Sequence, residues 1–169
     1  MSRIAQIVAL ALTVAAPAMP LRAQDPVDYL RPSDPGLAQA VAMAQETLPI
    51  FLAHVFDRSG EGIDGSRIMI LIGEGPEREP IWVAPFYRLD AMNFEGHIEG
   101  LPTRLEGFMV GQKVAFHQYR IIDWRIDLDD GKRYGSYVER AGMTDTPASE
   151  GATTGHPLSE TPVPSAWLR

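Results

Sequence analysis

The chain has 169 residues, 15 basic against 22 acidic and no cysteine, a length that suits one domain with appendages. The missing cysteine excludes a disulfide framework, thiolate catalysis, a Cys-ligated metal and lipid attachment at a signal-peptide Cys. The acidic balance argues against a nucleic-acid partner, which requires a basic footprint, and against an anionic membrane surface.

In MSRIAQIVALALTVAAPAMPLRAQDP, Arg3 precedes an apolar run from Ile4 to Ala16 and a small-residue segment from Pro17 to Ala23. That order predicts a secretory signal peptide over residues 1–23, cut after Ala23, with Ala18 the rival position. The run is too short to span a bilayer, so no stable membrane insertion is expected once the signal is cleaved, and the mature protein is placed in the periplasm or outside the cell. Removing Arg3 and Arg22 leaves 13 basic residues, a net charge near −9.

Residues 24–33 form a polar lead, and 34–142 carry the patterned domain. Asp34 caps a helix with Pro35 in its first turn. Leu37, Val41, Ala44, Leu48, Phe51 and Val55 step by four and three along one face. Pro49 is expected to kink the helix or split it near Thr47. After the turn-rich Asp57–Gly65 the period changes to two. Arg67–Ile72 is apolar on both faces and predicts a central strand. GEGPEREP (73–80) reads as a loop, Ile81–Tyr87 and Asn93–Glu99 as strands, and Phe108–Phe116 as a turn into a short strand. Ile121–Leu128 alternates, with Trp124 on the dry face and Asp123, Arg125 and Asp127 on the wet one. Asp130-Gly131 predicts a two-residue hairpin turn, which pairs Ile126 with Gly135 and Trp124 with Tyr137. Gly135 then leaves room for the Trp124 ring. Residues 143–169, rich in Pro, Ser, Thr and Gly, are expected to be an unstructured tail. The fold class is α+β: a kinked N-terminal helix on a strongly bent antiparallel sheet of five or six strands, with a partly open SH3-like barrel as one form of it.

Several ordered motifs carry a family resemblance. They are Glu79, Trp82 and Val83; Gly96, Ile98 and Pro102; Gly111 and Val114; Ile121, Asp123 and Trp124; and Gly135, Tyr137 and Arg140, with Ala44, Thr47, Leu48, Pro49 and Phe51 on the helix. From Leu37 to Arg140 the chain resembles the YegJ-like bacterial family, domain of unknown function 2314. Pro80, Gly100-Leu101 and Arg125 stand where that family often has His, Asn-x and Met. The resemblance implies no assigned reaction.

Asp123 and Trp124 are the first candidates for chemistry, as a general base and a stacking platform. Against that stands a sheet corner in which Asp123 accepts backbone or Arg140 hydrogen bonds and Trp124 fills the core. Arg140 suits a carboxylate ligand or an internal partner. Glu79 and Trp82 mark either a recognition surface or core, Trp82 sharing its face with Ala84 and Phe86. Asp57, Ser59, Glu61 and Gly62 imitate a calcium loop, but Ile68 stands where a bidentate Glu belongs. His97 and His117, with Glu95 or Glu99, are a weak zinc set. No metal and no cofactor is expected. The preferred reading is an exported binding or interaction module for an unknown protein or small ligand, with Glu79, Trp82, Asp123, Trp124, Tyr137 and Arg140 as its binding or structural-motif surface. The alternatives are a small hydrolase or metal-dependent enzyme built on Asp123 and Arg140, and an immunity-type or envelope-stress protein that neutralises a basic partner.

Overall fold

The computed structural model describes residues 35–74, 77–142 and 155–169. The segments expected to be a signal peptide and a polar lead, the expected Asp34 cap and residues 143–154 lie outside them. Among the described residues no helix is long and apolar enough to cross a membrane.

Helix α1 spans Pro35–His54 and buries Ala40, Val41, Ala44, Leu48, Phe51 and Leu52, the face its four-three spacing dictates. It runs on through Pro49, where a split near Thr47 was one expectation. Pro49 is exposed, so its ring lies off the packed face, and its missing N–H forgoes one helical hydrogen bond.

Six strands follow: β1 (Ser66–Glu74), β2 (Glu77–Arg88), β3 (Asn93–Ile98), β4 (Lys113–His117), β5 (Ile121–Asp127) and β6 (Arg133–Gly135), then a one-turn helix α2 (Tyr137–Arg140). They form one antiparallel sheet in the order β4-β3-β2-β1-β5-β6. The sheet is open, with β4 and β6 at its edges, so the barrel does not close. Strand β1 is central, flanked by β2 and β5, as its unbroken apolar run requires. Helix α1 packs on β5 and α2, stacking Phe51 on Trp124 at 4.7 Å between centroids.

Three local expectations are corrected. The segment 73–80 is mostly ladder: Glu74 faces Glu77, Gly73 faces Arg78 and Ile72 faces Glu79, because the buried β1 carries its charged neighbour into register. Between Val83 and Phe86 the β2 register shifts, which turns Phe86 onto Phe51 while Trp82 lies beneath Arg125. The two rings therefore do not share a face. The β5–β6 turn is three residues long. Leu128 N–H donates to Lys132 O, Gly131 N–H donates to Leu128 O, and Gly131 takes φ +75, a turn closed by a left-handed glycine. The register moves by one, and Arg125 faces Gly135. Tyr137 leaves the sheet for α2.

Residues 155–169 also depart from expectation, since they are ordered along β6. Arg133 N–H donates to Pro157 O, Ser159 N–H to Arg133 O, and Gly135 N–H to Pro162 O. Val163 and Pro164 are buried, and Ser165–Leu168 forms a 3-10 turn. Composition understated this segment because an edge strand supplies its donors, so few apolar anchors are needed.

Candidate functional site

The corner around Asp123 is where the sequence placed its best chemistry. Gly135 and Ser136 both take left-handed conformations, φ +70 and +54, and this pair swings the chain out of β6 into α2. The N-terminus of α2 then meets Asp123 on β5. The carboxylate accepts from Trp124 N–H at 2.8 Å, Tyr137 N–H at 3.1 Å and Val138 N–H at 3.0 Å. A carboxylate from a distant strand thus serves the orphan donors of a helix start. Asp123 is 1% exposed. Burial pushes its carboxyl up to about 7, against the pull of the three backbone donors.

Trp124 is fully enclosed. Its Nε1–H donates to Ala44 O at 3.2 Å and Thr47 Oγ1 at 3.1 Å, and Thr47 shares a 2.8 Å hydrogen bond with Tyr137 OH. The Trp124 and Tyr137 rings do meet, edge to face at 5.9 Å, but through α2 rather than across a ladder. A Cβ on Gly135 would lie 2.6 Å from Trp124 Cε3, so the predicted room for the indole is real. Thr47, named from sequence only for a helix split and as part of the family motif, is the polar hub joining α1, β5 and α2. Arg140 does not touch Asp123. Its guanidinium donates to Gly135 O at 2.6 Å, Ser159 O at 2.8 Å and Ser159 Oγ at 3.2 Å.

The charged face of the hairpin is not wet. Arg125 and Arg133 are buried. Arg133 grips Asp127 with two hydrogen bonds, 2.8 and 3.2 Å, a fork geometry suited to a sheltered pair. Arg125 lies 4.6 Å over the Trp82 ring and 3.9 Å from Glu99, which also holds Arg67 at 2.6 Å. Burial, then the neighbouring Arg67 and Arg133, lower Arg125 to about 10. Neither Glu99 nor Arg67 was singled out for this from sequence, because their partner arrives from a strand remote in the chain.

Glu79 is also buried. It accepts from Thr103 N–H at 2.6 Å, Thr103 Oγ1–H at 2.7 Å and Arg104 N–H at 2.9 Å. Burial works to raise the carboxyl, but these donors outweigh it and hold it below its ordinary value. Its task is to pin the β3–β4 loop. Five of the six residues expected to make a binding or structural-motif surface, Glu79, Trp82, Asp123, Trp124 and Tyr137, are buried, and Arg140 is half-buried. They form no exposed patch.

The weak zinc set is not assembled: His97 faces Lys113 while His117 faces Asn93. No group of three metal-ligating side chains gathers among the described residues. Asp57 accepts from Ser59 N–H, Ser59 Oγ–H and Glu61 N–H, closing its own turn. The fold and the site together define an open-sheet α+β domain whose sequence landmarks are committed to holding it shut. Compared with family models, curated proteins and solved structures, the chain matches none.

Proposed function

We propose that the chain is an exported module of the YegJ-like kind that binds a basic protein through the β3–β4 loop. The observation that carries this reading is that Leu101, Met109 and Val110, all on that loop, are 53%, 68% and 46% exposed. The loop has fixed ends. Gln112 N–H donates to Met109 O, Met109 N–H to Gln112 Oε1, and Gly111 N–H to Ile98 O at 2.7 Å, while Glu79 holds residues 103 and 104. Apolar side chains presented on a pre-set loop lose little entropy on binding. The acidic excess over the whole chain favours encounter with a positively charged partner. Export rests on the segment 1–23.

The enclosed Asp123 and the internally bonded Arg140 weigh against the hydrolase alternative, because a general base must reach its substrate's proton. The test compares wild type with a Met109→Ser, Val110→Ser double variant, both immobilised and challenged with periplasmic extract. A basic protein retained by the wild type and lost by the variant, with both unfolding at the same urea concentration, supports the reading. Equal retention overturns it.

A further inference from the structure

The contact between residues 155–169 and the body has the form of a bound peptide. The strand β6 presents Arg133 N–H, Arg133 O and Gly135 N–H to it, and these take Pro157 O at 2.9 Å, Ser159 N–H at 2.9 Å and Pro162 O at 2.7 Å. Leu158 pairs with Arg133 in a parallel bridge. Both prolines contribute only a carbonyl, so the N–H each lacks is never missed. Arg140 reads the middle of the segment through the carbonyl and hydroxyl of Ser159. Val163 is buried and Trp167 stacks on His54 of α1, centroids 5.0 Å apart and planes 7° from parallel.

Strand addition at a sheet edge, with main-chain bonds for affinity and alternate pockets for selectivity, is a general mode of peptide recognition. Here the ligand is tethered. Of its fifteen residues only Ser159, Val163 and Pro164 are buried, so the hold owes much to the tether, which keeps the segment at an effective concentration in the millimolar range. We propose that the β6 edge and Arg140 form a docking site for an extended Pro-x-Ser-x-x-Pro-Val segment. Residues 155–169 fill this site within one chain, and the same segment of a second copy fills it between chains.

A second copy is the occupant because its segment matches the site at every contact just named. The twelve residues 143–154 bridge up to about 40 Å when extended, long enough for exchange between neighbouring molecules. This site is separate from the β3–β4 loop, and its failure leaves the proposed function standing.

The test uses full chains. One carries Ser159→Pro and Val163→Asp, which remove the Ser159 N–H and hydroxyl and the apolar anchor and so empty the edge. A synthetic peptide spanning residues 156–169 is the probe, followed by fluorescence anisotropy. The peptide is expected to bind the emptied chain saturably in the micromolar range. Binding to wild type, whose own segment competes, should be at least tenfold weaker, as should binding to the emptied chain with Arg140→Ala added. Mixed with wild type at millimolar concentration, the emptied chain should give a heterodimer by native mass spectrometry. A folded emptied chain that ignores the peptide, or a mixture without heterodimer, overturns the proposal. Should the emptied chain not fold, hydrogen exchange in the wild type decides. Opening of the Arg133, Gly135 and Ser159 amides at least 100-fold more frequent than that of the Ile126 amide supports a detachable segment, and equal opening overturns it.

Discussion

Two glycines of the β5–β6 hairpin offer a controlled test of the closed corner. Both have positive φ, +75 at Gly131 and +70 at Gly135, and any residue with a Cβ pays about 1 kcal/mol or somewhat more for that conformation. Around Gly131 a Cβ meets nothing within 4 Å, so Gly131→Ala carries that cost alone. At Gly135 the added carbon would stand 2.1 Å from Trp124 O and 2.6 Å from Trp124 Cε3. Relieving this overlap requires the two backbones to part by about 1 Å, which breaks the Ser136 N–H to Trp124 O bond of 2.8 Å and loosens the indole. A buried hydrogen bond left unmade costs about 1–3 kcal/mol, so with conformational strain and lost packing Gly135→Ala should cost about 4 kcal/mol or more. Urea unfolding followed by tryptophan fluorescence reads the difference. Gly135→Ala should shift the midpoint by more than about 1 M beyond Gly131→Ala, given slopes of about 1–3 kcal/mol per M. Midpoints that agree within error would refute the idea that Trp124 is sealed against the β6 backbone.

Asp123 makes a signed prediction about pH. Its carboxyl rises from 3.8 to about 7 on folding, so the folded chain holds this proton more tightly than the unfolded one. The stability this contributes is complete below about pH 4 and lost as pH rises through 7, at up to about 1.4 kcal/mol per pH unit. Urea titrations at pH 5 and 8 should show Asp123→Asn with a flatter dependence than wild type, and an unchanged slope would contradict the buried-carboxyl account. Glu79→Ala should release the β3–β4 loop at a cost of about 1–2 kcal/mol, modest because Thr103 and Arg104 are exposed and their donors can turn to water. Limited proteolysis should then cut within 101–106 several-fold faster, and unaltered cleavage would mean the loop is held by something else. Trp124→Phe keeps a ring beside Phe51 but abandons the bonds to Ala44 and Thr47, and an unfolding midpoint equal to wild type would show those bonds to be idle.

Local pattern determined much of this protein. The four-three spacing on α1 and the doubly apolar run of β1 reflect burial imposed on a repeating backbone geometry, whereas the alternation of β5 placed the strand but not its second face, which is buried too. The sheet corner weighed against a catalytic Asp123 was also legible in sequence, with Trp124 on the dry face of an alternating strand. What sequence could not supply was partnership between distant segments. Asp123 meets the α2 amides rather than Arg140 because the left-handed pair Gly135-Ser136 turns the chain out of β6. The same pair takes Tyr137 out of the sheet. Arg125 reads as a wet-face charge until Trp82 on β2 and Glu99 just after β3 arrive beside it, and residues 155–169 read as unstructured until β6 and Arg140 offer them bonds. Periodicity records which face of an element is dry, whereas register and long-range closure depend on the free energy of the whole assembly, which only the folded chain expresses.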